Sequence, residues 1–386
     1  HTVAILVLMS FGLSHTPAKV MFEMLQTAEH NVKTGFGPSQ RAYGQQSPPI
    51  QGAGQGNGCA PALWAMISSI MIRVMGKHNH GVNMRTSLSM TLISLVCFAF
   101  VDDTDLPVTA LTKDMTGEEV GPLFQQALDR WAGLLRATGG ELAPEKSWCY
   151  IIDFKWRGDK WEYRTIDEMD GDFTLTDNNG NRKPLRRLDV WEGSKTLGVF
   201  LAMDGSNASH LDHLKNESTI FAEKMRTSSC DPNTALYTFK SCFLPKLEYC
   251  LAVCSFTKDQ WRSIMHPAKR RTLQKAKMAS SFPTDVFYGP IKYCGLGMTD
   301  PYTRQGIVKI TTLLQEGKGT TQTAMLLRSV VEGLKMEAGF PLTIGNASYE
   351  WIKHYVSKSW YTHLIQTIHK HNQESRHIRS EEHTSE

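Results

Sequence analysis

The chain of 386 residues has no CxxC cysteine pair, no apolar run long enough for a bilayer, and little excess of charge. Its eight cysteines, at positions 59, 97, 149, 230, 242, 250, 254 and 294, lie scattered, most of them inside apolar stretches. Without spaced pairs the pattern argues against a zinc site, and free thiols in a reducing, intracellular compartment are expected. No basic region precedes the opening apolar run from Val3 to Leu13, and no small-residue cleavage site follows it, so no signal peptide is read. The longest apolar segments fall short of a membrane span, and no membrane partner is expected. A net charge of +4 permits a nucleic-acid partner without demanding one. No repeat period is evident, and low complexity is confined to one glycine-rich loop. What is present, 41% hydrophobic and 21% charged residues, is a globular composition long enough for two or three domains.

One stretch organises the rest. Leu92 to Val101 is apolar and rich in strand-forming residues, and it ends in Asp102 and Asp103. Its length and composition predict a buried strand, turned by Thr104-Asp105-Leu106-Pro107, with Val108 to Leu111 returning as a second strand. Two adjacent carboxylates at the tip of a buried strand repel each other and lose hydration. Either they face water in a polar turn, with Asp105 as a turn residue, or a hard divalent cation such as Mg²⁺ compensates them.

Upstream, period alone leaves residues 3–13 undecided between helix and strand. Thr16 and Pro17 then cap and start a helix reaching about Glu29. Asn31 to Phe36 is strand-like, and residues 37–58 form a loop ending in Gln51-Gly52-Ala53-Gly54-Gln55-Gly56-Asn57-Gly58, whose backbone can approach a ligand closely. Pro61 starts a helix with Leu63, Met66, Ile67, Ile70, Met71 and Val74 on one face, and His78 and His80 read as solvated. Thr116 and Glu119 form a capping box for a helix that Gly139-Gly140 stops. Residues 148–202 alternate as short strands, including one over Thr196 to Leu201. From Leu211 the pattern is helical: Leu211 to Met225, Thr234 to Phe256, Lys258 to Ala279 and Gly306 to Glu316, broken by Gly289-Pro290 and Gly295-Leu296-Gly297. Trp131, Trp148, Trp156 and Trp161 are assigned to packing, and histidines 354, 363, 369 and 371 have no assigned role.

The order of these segments resembles the palm of reverse transcriptases of the retrotransposon type that lacks long terminal repeats. Gln55-Gly56-Asn57-Gly58-Cys59-Ala60-Pro61 stands where that family has Pro-Gln-Gly, with Gly54 in place of the proline. Phe100-Val101-Asp102-Asp103 stands at the aromatic-x-Asp-Asp hairpin. Gly139 to Ser147 looks like the segment whose lysine, here Lys146, approaches the incoming triphosphate. Thr196-Leu197-Gly198-Val199 looks like the primer-grip hairpin, and Gly295-Leu296-Gly297 with Gln305-Gly306-Ile307 is similar to thumb segments. The resemblance covers roughly residues 1–335 and rests on the ordered set.

The resemblance implies an α+β fold: a palm with partial fingers over 1–147, an antiparallel β insertion with the primer-grip-like hairpin over 148–205, an all-helical thumb over 206–345 and a helical tail over 346–378. Residues 379–386 resemble a translated sequencing adapter. It also implies RNA-directed DNA polymerisation with Mg²⁺, deoxynucleoside triphosphates, an RNA template and a DNA primer, and no obligate protein partner. Two cations about 3.5–4 Å apart serve such nucleotidyl transfer. Asp102 and Asp103 are the implied metal ligands, and Gln55, Gly56 and Phe100 the implied nucleotide contacts. Leu197 and Gly198 are expected to hold the primer. Lys269, Arg270, Arg271 and Lys275 either track phosphates of the duplex or form a solvated helix face. Lys146 is either a general acid near the pyrophosphate or an exposed lysine before a strand. The family's first metal-binding aspartate strand has no counterpart here, so an N-terminal truncation is expected, and with it a chain that does not polymerise alone. Three alternatives stay open: a nucleic-acid-binding remnant without catalysis, a group-II-intron-type maturase, and an unrelated metal-dependent hydrolase.

Overall fold

The computed structural model describes residues 2–27, 29, 31–41, 58–112, 114–177, 180–339 and 349–370. It is a mixture of helices and small sheets, an α+β composition, with seven two-stranded sheets among the described residues. The chain divides into two compact units, His1–Met84 with Ser94–Asp189, and Arg85–Ile93 with Val190–Glu386. These boundaries differ from breaks at 147 and 205: most of the expected β insertion belongs to the first unit.

In the first unit, the ambiguous N-terminal run forms helix α1 (Thr2–Ser10), and α2 (His15–Thr27) follows. The strand-like segment after it reduces to β1 (Lys33–Thr34) and β2 (Gly37–Pro38). Helix α3 (Ala60–Lys77) has Pro61 in its first turn, where the missing N–H costs nothing. It buries Leu63, Ile67, Met71 and Met75, one residue per turn. These side chains pack with Val7, Leu8, Ala18, Phe22, Ala127 and Trp131 in one apolar cluster. Each fully buried side chain of this size stabilises by about 1.5–3 kcal/mol.

The organising apolar run is not one strand. It is divided into β4 (Leu92–Leu95), paired with β3 (Val82–Arg85), and β5 (Phe98–Phe100). The return strand is β6 (Asp103–Asp105), not Val108 to Leu111, so Asp105 sits in a strand rather than a turn. Helix α4 (Gly117–Ala137) has both halves of the Thr116–Glu119 capping box, and the Gly140 N–H closes its end on the Leu135 carbonyl at 3.0 Å. Then come β7 (Trp148–Tyr150), β8 (Phe154–Arg157), β9 (Lys160–Tyr163), β10 (Thr174–Thr176), β11 (Arg182–Pro184) and β12 (Arg186–Leu188). The β8–β9 and β10–β11 pairs are antiparallel, but β12 pairs with β7 in parallel, which departs from an all-antiparallel insertion. Trp156 and Trp161 are 73% and 53% exposed on the β8–β9 hairpin, so of the four tryptophans assigned to packing only Trp131 is deeply buried.

In the second unit, β13 (Ser194–Thr196) and β14 (Val199–Leu201) form a hairpin, so the short strand read over Thr196 to Leu201 is broken by a turn at the place where the resemblance implied a hairpin. Helices α5 (Ala208–Thr227) and α6 (Pro232–Thr238) follow. A π-helical turn at Phe239–Phe243 joins α6 to α7 (Leu244–Glu248), so the expected helix to Phe256 ends early. Helices α8 (Lys258–Lys275), α9 (Thr284–Tyr288), α10 (Pro301–Glu316), α11 (Gln322–Ala338) and α12 (Tyr349–Ile352) complete it, and residues 360–370 are helical. Phe239, Phe243, Phe256, Trp261, Ile264 and Phe287 centre its core. Gly295 is required by a close approach: a Cβ there would meet the Gly289 carbonyl oxygen at 2.1 Å. The expected break at residues 289–297 is therefore a folded clasp, closed by Gly297 N–H donating to the Gly289 carbonyl at 2.8 Å.

Candidate functional site

The two-residue turn Val101-Asp102 joins β5 to β6, with Phe100 opposite Asp103 and Phe98 opposite Asp105. Directly opposed residues and residues two apart share one face of a hairpin. Phe98, Phe100, Asp103 and Asp105 therefore lie on one side, with Ala99 and Thr104 on the other. Asp102 and Asp103 are exposed at the tip. Burial first, and then the charge of Asp103, lift the Asp105 carboxyl above its ordinary range. Burial and then Asp105 raise the neighbouring Cys97 thiol.

Val101 carries the strain of the turn, at φ 56°. A β-branched residue in this left-handed region costs about 1–2 kcal/mol and persists only where its surroundings impose it. The restraint is Trp64, on the first turns of α3, whose indole N–H donates to the Val101 carbonyl. Sequence reasoning passed over Trp64, because nothing local marks it. It also passed over Asp105 as a partner of Asp103, although the Asp-x-Asp alternation was a readable period-two signal.

The other expected residues are placed separately. Gln55 and Gly56 lie outside the described residues. Lys146 ends a 3₁₀ turn, Pro144–Lys146, and is exposed; among the described residues no hydrogen bond or ion pair joins it to the hairpin. His80, expected in solvent, is partly buried against Arg130, and burial together with that guanidinium lowers its pKa.

Leu197 and Gly198, in the second unit, are the two central residues of the β13–β14 turn. Their φ values of 49° and 86° fit a type I′ turn, which matches strand twist and favours glycine. A side chain at 198 would also press on the Tyr249 ring, 3.2 Å from the added Cβ.

The basic run on α8 does not share one face, since consecutive helical residues are about 100° apart. The Lys269 ammonium lies 4.4 Å from the centre of the Phe287 ring, and burial lowers its pKa. Arg271 donates to Gln274 Oε1 at 2.9 Å, and Lys275 donates to the Ser228 carbonyl. Arg270 is exposed. The run is thus largely engaged within the unit, and Arg270 is its outward-facing cation.

Gln305, on α10, is fully buried. Its Oε1 accepts from the Phe256 N–H at 3.1 Å and the Trp261 indole at 3.2 Å, and its Nε2 donates to the Phe256 carbonyl at 3.0 Å. His363 Nε2 meets the same carbonyl at 3.1 Å, which gives one of the unassigned histidines a structural place. No helix among the described residues is long and apolar enough to cross a membrane. No protein-family model matches the chain, and no curated protein matches it significantly.

Proposed function

We propose that this chain carries part of the polymerase site of a reverse transcriptase from a retrotransposon, an enzyme class that works by two-metal nucleotidyl transfer on an RNA template and DNA primer. The observation that carries the reading is the hydrogen bond from Trp64 to Val101. It fixes the helix that follows the Gln55-Gly56 segment in sequence against the tip of the Asp-Asp hairpin. A nucleotide site needs those two features side by side.

The hairpin's chemistry fits Mg²⁺, because Asp102, Asp103 and Asp105 offer hard oxygen donors on a tip open to solvent. When bound, Mg²⁺ would neutralise charge on the triphosphate. Asp102 and Asp103 would hold the cation, with Asp105 two residues from Asp103 on the same strand as a third carboxylate. Phe100 presents an exposed ring, 61% accessible, on the carboxylate face, where a sugar or base can rest. Leu197-Gly198 makes a tight, projecting turn suited to a primer strand. Lys146, exposed at the end of its 3₁₀ turn, would supply a positive charge for the leaving pyrophosphate.

The test is binding of the next complementary deoxynucleoside triphosphate to the full chain on a dideoxy-terminated primer with an RNA template, followed by fluorescence anisotropy. Mg²⁺-dependent binding that Asp102→Asn or Asp103→Asn weakens by on the order of 100-fold is expected, equivalent to about 2.7 kcal/mol. Template–primer binding without any effect of triphosphate, Mg²⁺ or these substitutions would instead identify a nucleic-acid-binding module and overturn the catalytic reading.

A further inference from the structure

We infer that His210, Cys250 and Cys254 form a buried site for one soft, thiophilic d¹⁰ cation, Zn²⁺ or Cu⁺, in the second unit. A ring nitrogen of His210 and the two sulfurs all lie within 4.8 Å of one another, and all three residues are buried. Donors in a tetrahedral zinc site, with Zn–S about 2.3 Å and Zn–N about 2.0–2.1 Å, sit roughly 3.5–3.8 Å apart. Closing the triangle thus takes shifts of about 1 Å or less.

The fold holds the donors in place. Cys250 and Cys254 are one helical turn apart, linked by the Cys254 N–H donating to the Cys250 carbonyl at 2.9 Å, so both sulfurs face the same side. His210 lies in the first turn of α5, stacked on Phe256 with ring centres 6.3 Å apart and planes 13° from parallel. It is 3% exposed, its Nε2 makes no hydrogen bond of ordinary geometry, and the Cys250 thiol lies within interaction range of the ring. A buried polar atom left unsatisfied costs about 1–3 kcal/mol, and a cation on Nε2 would satisfy that atom at the expense of the Phe200 N–H contact on Nδ1.

The donor set selects the cation. Thiolate and imidazole suit Zn²⁺ and Cu⁺, while Mg²⁺ and Ca²⁺ want oxygen. Binding Zn²⁺ would release the two thiol protons to solvent and leave a neutral centre, which a dry core accepts. Binding Cu⁺ would leave one negative charge, with the amine of the fully buried Lys309, held by the Ser255 hydroxyl, nearby. Neither reading depends on the polymerase proposal, because these residues belong to the other unit.

A built-in reporter exists. The Phe200 N–H donates to His210 Nδ1 at 3.3 Å. If the cation takes Nδ1, it displaces this donor. If it takes Nε2, the ring proton moves to Nδ1 and opposes the donor. Either way the Phe200 amide must reorganise.

The experiment titrates the reduced full chain with Co²⁺ as a visible surrogate for Zn²⁺, and separately with Cu⁺ under anaerobic chelator competition. One equivalent is expected, with thiolate-to-cobalt charge-transfer absorption and a shift of the Phe200 amide resonance, and elemental analysis of the chain as isolated from cells identifies which cation it holds there. Cys250→Ser, Cys254→Ser and His210→Asn should each weaken binding by on the order of 100-fold or more. Cys242→Ser and Cys294→Ser, at exposed positions, should leave it unchanged. If the buried variants do not fold, the unsubstituted chain decides, because its charge-transfer intensity counts the thiolates. Absence of that absorption, an unmoved Phe200 amide, or equal weakening by Cys242→Ser overturns the site.

Discussion

Replacing Gln305 by leucine should destabilise the second unit severely, although the two side chains are close in size. The substitution leaves two buried donors, the Phe256 N–H and the Trp261 indole, without an acceptor. Phe256 is wholly buried and Trp261 2% exposed, so water cannot take over. The Phe256 carbonyl loses one donor but keeps His363. At about 1–3 kcal/mol per orphaned donor, the loss is about 2–6 kcal/mol, reduced somewhat because leucine needs no partners of its own. A net cost near 3 kcal/mol is a large share of an ordinary stability of about 5–15 kcal/mol. With a urea dependence of about 2–3 kcal/mol/M, the midpoint should fall by about 1–1.5 M at unchanged slope. Tryptophan fluorescence and far-ultraviolet circular dichroism would follow the transition. Gln274→Leu, on the exposed side of α8, serves as control and should stay within about 0.5 kcal/mol of the parent. A Gln305→Leu midpoint no lower than that of Gln274→Leu would refute the bracket as a determinant of stability.

Other expectations follow from the same contacts. The Ser89 N–H and hydroxyl, and then the Leu88 N–H, hold the Glu332 carboxyl at about 2 against an ordinary 4.5. Its contribution is fully present above 4.5 and is lost as pH falls through 2, so the Ser89 amide resonance should titrate near 2. Glu332→Gln should abolish that titration, and a midpoint near 4.5 in the parent would contradict the assignment. Burial, and then the charge of Lys309, lower the His363 pKa to about 4. Unfolded chains bind that proton from about 6.5 downward, so stability should fall between pH 6.5 and 4 by on the order of 2–3 kcal/mol. His363→Gln should flatten that part of the pH–stability curve. Val101→Gly should relieve left-handed strain and stabilise the first unit by up to about 1 kcal/mol, whereas Trp64→Phe should cost about 1 kcal/mol by removing a donor. Thermal melts that ranked these two variants in the opposite order would show that the turn is not restrained as described.

What could be read in advance was mostly local chemistry. Thr116 and Glu119 announced the start of α4 because a capping box is complete within four residues. The helical face of Leu63, Ile67 and Met71 followed from spacing. The apolar run at 92–101 misled, because a turn centred on Val101-Asp102 places a β-branched residue where turn statistics favour glycine. The distant Trp64, bonded to the Val101 carbonyl, helps hold that geometry. The basic run on α8 looked like one surface in sequence, yet helical rotation and an aromatic neighbour, Phe287, disperse it. His210 and Cys250 are forty residues apart, so no spacing rule could join them, and the i,i+4 cysteines alone carried no signal. Gln305 likewise sat inside a segment whose resemblance suggested a thumb, but its hydrogen bonds to the chain around Phe256 emerge only from the packing of α10.

The Glu332 bracket also bears on how the chain is made. Leu88 and Ser89 precede their acceptor by 244 and 243 residues. At about 5–20 residues per second, a ribosome needs roughly 12–50 s to bring the glutamate after them. For that interval the nascent loop before the aspartate hairpin must wait with its amides bound to water. The Leu88 and Ser89 amides meet their protein acceptor only once the long segment in between has been made.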